Sequence, residues 1–364
     1  MMIEKGRIST GQMELLIIPT IISTAILSIS SIDARLAGHD MWMTPILGSS
    51  AGFLTVYIVW KLHELYPGQT PIGYSQKLIG KVAGSLFGLL LILFFSHNTG
   101  IIIREYTGFI KSNVLLQTPS IVISLSLLLV AALAVRGGLE VIARTAVICT
   151  FLFLSTSIVL LLLIPEVELG NVLPTFENGF IPVLKGAFIH QSWFSEFFIL
   201  AFIFPFLNNT KKGLKSGFRA ILVVMFILCY VNFFVLTTIG VVAGDLYYPV
   251  YAIVKSISLA EFFENFEILI TASWVLGNFV KIAMFLYAAS LALAELFRIN
   301  DYRVMVLPLS LFIFFFSYWD ISNVVELVNY MGQIQPFYLI SVQTVIPLFL
   351  LLIALLKKKR SDNN

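Results

Sequence analysis

Residues 190–206 read HQSWFSEFFILAFIFPF, with the carboxylate of Glu196 in the middle of an aromatic and aliphatic run and no basic residue between Lys185 and Lys211. A charged side chain at mid-bilayer costs about 2.5–3.5 kcal/mol on insertion scales unless it is paired or faces water. The rest of the chain decides whether this is such a place, and what makes the charge tolerable.

The 364 residues are 59% hydrophobic and 12% charged, against about a quarter charged in soluble domains, and mean hydropathy is +0.95. A spanning helix needs about 20 mainly apolar residues. Ten such stretches are predicted, at 12–31, 43–61, 84–110, 119–135, 142–164, 187–207, 217–242, 268–296, 304–318 and 336–356, with short polar joints between them. The expected class is an all-α integral membrane protein forming a single transmembrane permease-like domain over residues 1–364. Its basic start and first apolar run have the outline of a signal peptide. The length of the run and the spans that follow favour a retained helix over a signal cleaved near Ser28 or Ser30.

Lys and Arg concentrate in the cytoplasmic loops of membrane proteins. With the N-terminus inside, only Arg35, Arg104, Lys111, Lys185 and Lys255 of the 23 basic residues fall at or near the outer side, and Lys281 lies within a span. Both termini are therefore expected in the cytoplasm. The long outer joints, 165–186 and 243–267, are acidic. The second, YYPVYAIVKSISLAEFFENFEI with Glu261 and Glu264, has the spacing of an amphipathic helix, either over an outer vestibule or simply on the surface.

Gly80-x-x-x-Gly84-x-x-x-Gly88, Gly48-x-x-x-Gly52 and Gly240-x-x-x-Gly244 are read as seams where helices approach closely in lipid. No phosphate-cradling glycine loop, metal-spaced His/Cys set or G-x-S-x-G is present, so neither an enzyme nor a cofactor or metal site is expected. His39, His63, His97 and His190 are too dispersed for one metal. Cys149 and Cys229 lie inside apolar runs and are read as small buried hydrophobes. The scattered basic residues give no nucleic-acid footprint.

The ionisable groups within the spans are the informative ones. Glu14 lies near the cytoplasmic end of the first span, where it can reach water or the helix N-terminus. Glu196 and Lys281 lie at matching depth on the sixth and eighth spans. They either pair with each other, directly or through a ligand, as a functional or a structural ion pair, or Glu196 is protonated and bonded to a backbone carbonyl. Ten spans divide into two sets of five, about 12–164 and 187–356. Transporters built from inverted repeats unwind the first helix of each half at the midplane. Ser23, Thr24, Ser28, Ser30 and Ser31 interrupt the first span here, and Ser192, Ser195, Glu196 and Pro205 the sixth.

The stretches GRISTGQMELLIIPTIISTAILSIS, LAGHDMWMTPILG, HELYPGQTPIGYSQKLIGKVAGSLFG, LLQTPSIVI, GLEVIAR, SWFSEFFILAFIFPF, ENFEILITASWVLGNFVK and FFFSYWDISNVVELVNYMG, in this order and spacing, resemble the B subunits of spore germinant receptors, the endospore germination permease family. That family is similar to the amino acid–polyamine–organocation superfamily. The resemblance implies a leucine-transporter-like 5+5 inverted repeat with interrupted first and sixth helices. It also implies residence in the inner spore membrane, a small nutrient germinant such as an amino acid or sugar, and A-type and lipoprotein C-type partner subunits. Carried over by position, the ligand site draws on Ser23, Thr24, Ala25 and Ile26 of the first helix and on Asn98 and Thr99 of the third. Ser195, Glu196 and Ile199 of the sixth helix and Lys281 of the eighth complete it. Relatives carry glycines at the first break, where this chain has ISTAILSIS, and unwinding is harder without glycine.

The function so read is nutrient sensing by a receptor subunit, with Lys281 meeting an anionic end of the ligand. A proton-coupled amino acid or amine transporter working through Glu196, and a membrane partner that binds no ligand, are the alternatives.

Overall fold

The structure, a computed structural model, describes residues 4–257, 265–319, 321 and 323–362, and among them the fold is helical with one isolated bridge, Ile8 to Leu207. The membrane-spanning part opens with α1 (Thr10–Ala37), started by a capping box in which Ser9 and Gln12 exchange side-chain to backbone bonds. A short 3₁₀ turn, Gly38–Met43, leads into α2 (Thr44–Leu65). A short α3 (Pro71–Ile79) lies at the joint after α2, followed by α4 (Lys81–Asn113), α5 (Ser120–Gly137) and α6 (Leu139–Ser157), the last extended by 3₁₀ backbone over Ile158–Glu166. The second half begins with α7 (Ile181–Ser195), which tightens to 3₁₀ over Glu196–Phe202, and continues with α8 (Gly213–Ile239) and the short α9 (Pro249–Lys255). It then runs through α10 (Glu267–Leu296), α11 (Arg303–Trp319), α12 (Val324–Gln333) and α13 (Gln335–Ile340). A five-residue π segment, Ser341–Val345, joins α13 to α14 (Ile346–Asp362).

Each of the ten expected spans corresponds to one of these helices or helix pairs. By length and apolarity alone, seven helical stretches among the described residues are able to cross a bilayer, and one of them, Thr10–Leu65, contains both of the first two spans. The sixth span falls short of that measure because Lys185, His190, Gln191, Ser192, Ser195 and Glu196 lower its apolarity, and the ninth because α11 has 17 residues. The acidic part of the second outer joint, with Glu261 and Glu264, lies outside the described residues. Its N-terminal part forms α9.

The expected interruption is present in the sixth span and absent from the first. The chain changes from α to 3₁₀ at Glu196. By contrast α1 is continuous through ISTAILSIS, with Pro19 inside it. No glycine stands there to absorb a break, and Thr20 bonds back to the Leu16 carbonyl at 2.7 Å, so its hydroxyl is satisfied within an intact helix.

In a bilayer the backbone must satisfy itself, so these spans form helices wherever they go, and side chains decide their neighbours. α1 and α10 are the most enclosed: α1 packs on α6, α7, α8 and α10, and α10 also packs on α4, α5 and α6. α5 and α6 turn Leu129, Leu133, Ile148 and Phe151 outward at half exposure or more, as a lipid-facing surface does. Two of the glycine seams hold helices at close range. A Cβ on Gly84 would stand 2.5 Å from the backbone of Gln76 in α3, and one on Gly48 would stand 2.4 Å from the His190 Cβ in α7. Gly80 and Gly240, expected in seams, instead cap helices with positive φ.

The end of the helix bundle where α1 begins is closed by the N-terminal segment. Ile8 and Asn208 exchange backbone bonds with the end of the sixth span, Ile8 N donating to Phe206 O at 3.1 Å and Asn208 N to Ile8 O at 3.0 Å. Arg7 donates to the Pro205 carbonyl at 2.9 Å. Buried Glu4 accepts from the Leu139 amide at the start of α6 (3.1 Å) and from the Tyr302 hydroxyl before α11 (2.9 Å). Burial, and next the Glu4 carboxylate, push the Tyr302 phenol well above its usual pKa, so it stays a donor. Glu14 meets Arg219 of α8 near this surface, the solvated pairing expected of a helix-end carboxylate.

Candidate midplane ligand site

Sequence depth placed Glu196 and Lys281 at one level, and the fold brings them into contact. The Lys281 ammonium donates to both Glu196 oxygens, at 2.9 and 2.7 Å, and to Thr24 Oγ1 at 2.7 Å. Trp193 Nε1 donates to the same Thr24 oxygen at 3.0 Å, and the Phe285 ring lies 5.6 Å from the ammonium. All three donors of the lysine are thereby used. Three spans, the first, sixth and eighth, are tied at one point, at the residue where α7 loses its α-helical pitch. The charge in HQSWFSEFFILAFIFPF is tolerable because a lysine from α10 neutralises it.

This corrects one expectation. Lys281 does not stand open toward a ligand carboxylate, since its ammonium already has two carboxylate oxygens and a hydroxyl.

The other expected site residues divide into two sets. Ser195 joins the polar interior by donating to Gln343 Oε1 of the π segment at 2.8 Å and to the Ser192 carbonyl at 2.7 Å. Ser23 is wholly buried, and its hydroxyl has no partner among the described residues. Asn98 and Thr99, in contrast, bond back to their own helix, to Phe94 O at 2.9 Å and Phe95 O at 2.6 Å, and do not enter the lysine cluster. Ala25, Ile26 and Ile199 are buried apolar walls.

Three groups escaped the sequence reading. Gln343 sits in a π-helical turn, a distortion often associated with functional sites, and leaves its Nε2 without a partner among the described residues. Glu105 of α4 is a further carboxylate at 2% exposure. Asp33 and His190 form a second buried polar contact, Nε2 to Oδ2 2.6 Å. Asn232 donates to the same Asp33 oxygen at 2.7 Å and accepts from Ser30 Oγ at 2.7 Å. Asp33 went unnoticed because α1 continues past the predicted end of the first span, to Ala37, and draws the polar joint inside.

A family of multi-pass membrane helices with paired charges at the midplane is defined by more than this geometry. Residues 7–325 match the profile of the family described as spore germination protein, and the chain belongs to that family. It is 28% identical to spore germination protein KB of Bacillus subtilis (strain 168), covering 99% of this chain and 98% of that one. To the putative spore germination protein YfkT of the same organism it is 27% identical over 87% of each chain. Among solved structures it is similar to Mhp1, a nucleobase-cation-symport-1 family transporter, closed with bromovinylhydantoin bound, with TM-score 0.67 and 13% identity over 93% of this chain and 77% of that one. A substrate-bound, outward-open Na⁺-coupled sialic acid symporter gives the same TM-score and identity, covering 93% and 80%. The fold is thus that of leucine-transporter-like permeases.

Proposed function

We propose that the protein is a germinant-sensing membrane subunit, which binds a small nutrient such as an amino acid at the midplane between α1, α7 and α10 and triggers germination. Neither an enzyme nor a nucleic-acid binder, it works in the inner spore membrane with an A-type and a lipoprotein C-type subunit, both of its termini in the cytoplasm. The observation that carries this reading is the Lys281–Glu196–Thr24 cluster: three spans held by one buried charge pair, in a spore germination family and a transporter fold. A ligand that competes for any arm of the cluster shifts the helices against each other, and binding energy becomes a conformational signal.

Proton-coupled transport is the second reading, favoured by the symporter fold and by Glu196. Affinity purification from spores, together with uptake of labelled nutrient into proteoliposomes, separates the two. Co-purification of A-type and C-type subunits with no uptake above empty liposomes is expected. Concentrative uptake driven by a pH gradient by the subunit alone would replace the sensing reading with transport.

Topology has its own check. A cysteine at position 177, in the outer joint, should react with an impermeant maleimide from outside intact cells expressing the protein. Reaction only after the membrane is opened would reverse the orientation.

A further inference from the structure

Thr24 and Ser28 lie one turn apart on the same face of α1, about 6 Å along the helix axis. Each holds one end of an electrostatic arrangement. Thr24 accepts from Lys281 at 2.7 Å. Ser28, the outer of the two, donates to Glu105 Oε1 at 3.4 Å, close to the limit for a hydrogen bond, and also lies 3.4 Å from Met331 Sδ of α12. Glu105 is within electrostatic reach of Lys281 and Glu196, yet it makes no ion pair among those in the described residues. Its sequence neighbour Arg104 is turned about 100° around α4 and stacks over Tyr318, 5.5 Å from the ring centre.

With both carboxyls ionised, the charge balance of this interior is uneven. Two carboxylates, Glu105 and Glu196, face one ammonium, and that ammonium is used on Glu196 and Thr24. A buried carboxylate without a counter-charge is costly, and it either takes a proton or attracts a cation. The surroundings suit a cation that is organic and small. Met331 supplies a polarizable thioether beside Ser28, and Phe109, one turn outward of Glu105 on α4, packs against Tyr248 and Trp274 at ring distances of 5.1 and 4.8 Å. Tyr248 carries a buried hydroxyl with no partner among the described residues and feels the Glu105 charge. Thr24, Ser28, Glu105, Glu196 and Lys281 are all buried deep in the protein, at 1–4% exposure.

The geometry points to Glu105 as the seat of a monovalent organic cation, the ammonium group of a small amine or amino acid, one helical turn outward of the Lys281–Glu196 pair. This rests on the midplane reading above and deepens it by naming the ligand's charged group. An ammonium there offsets the Glu105 charge and gives Glu105 and Ser28 a donor.

The test uses the full-length protein in nanodiscs, with thermal unfolding followed by tryptophan fluorescence at constant ionic strength. The probes are ethylammonium, L-alanine, propionate, ethanol and glucose, with sodium and potassium chloride compared as background salts. Ethylammonium and L-alanine should raise the unfolding temperature of the wild type, while propionate and ethanol should not. Glu105→Gln should need at least tenfold more ethylammonium for the same shift, with Glu105→Asp intermediate. An equal response of wild type and Glu105→Gln, or of wild type and Glu105→Asp if the glutamine variant does not fold, overturns the subsite. So does a shift between sodium and potassium that ethylammonium cannot displace, which would assign Glu105 to an inorganic ion. Stabilisation by glucose, equal in wild type and Glu105→Gln and with no response to amines, overturns the ammonium subsite alone. Silence of the wild type toward every probe counts against both the subsite and the midplane reading.

Discussion

Lys281→Met is expected to destabilise the protein by about 3–5 kcal/mol, because it strands the Glu196 carboxylate in the interior with no cation. The lysine is 1% exposed and Glu196 3%, so water cannot take over the lost interaction. One further bond goes with it. Thr24 loses its donor from α10, and α1 keeps only the Trp193 contact to that hydroxyl. The double variant Lys281→Met/Glu196→Gln removes both charges and should regain most of the loss, since replacing a whole buried pair by groups of similar shape is often close to neutral. Unfolding temperature and accumulation in membranes, read as a double-mutant cycle, measure this. Single and double variants equally destabilised would show that the pair is not coupled. Nutrient response should be lost in both variants, including the stable one, because the link between α1, α7 and α10 is gone either way. A double variant that is stable and still answers nutrient would separate the cluster from signalling.

Asp33→Ala should cost a similar amount, about 3–5 kcal/mol, near the C-terminal end of α1. Asp33 Oδ2 receives both His190 Nε2 and Asn232 Nδ2, and Asn232 also donates to the Met41 carbonyl at 3.1 Å. Asp33, His190, Asn232 and Ser30 all have no exposed surface. Truncation leaves two buried donors facing a void, and a hydrogen bond to a charged group is worth about 1.5–3 kcal/mol. Glu64→Ala provides the contrast. Its pair with Lys61, 2.6 Å long, is half exposed on the acid side, and its loss should cost less than about 1 kcal/mol. If the two substitutions lower the unfolding temperature equally, the Asp33 network is not a stabilising one.

The ten spans were legible in the sequence because lipid leaves a backbone no alternative to internal hydrogen bonds, and hydropathy along the chain is then enough to say where each helix lies. The depth of Glu196 and of Lys281 could be read the same way, by counting residues from the ends of their spans. Their contact is consistent with that count, since equal depth is a necessary condition for pairing across a bilayer. Depth alone did not select their third partner. Thr24, Ser23 and Ser28 all sit in the same stretch of α1, yet Thr24 faces Lys281, Ser28 faces Glu105 and Ser23 finds no partner among the described residues.

The course of α1 shows the same division. A run of hydroxyl residues is compatible with a broken helix and with an intact one, because Ser and Thr bond equally well to freed carbonyls and to their own previous turn. α1 packs against four other spans and is continuous, while α7, itself packed on α1, α2 and α13, tightens to 3₁₀ backbone at Glu196. By itself, then, the sequence determined the membrane class, the number of spans and the level of the principal charges, all properties of position along one axis. Only the tertiary structure decided the partners: Lys281 with Glu196 and Thr24, Asp33 with His190, Ser195 with Gln343, and Glu105 with Ser28. A residue's direction around its helix acquires a meaning only when the neighbouring helix has been placed, and that placement depends on side chains hundreds of positions away.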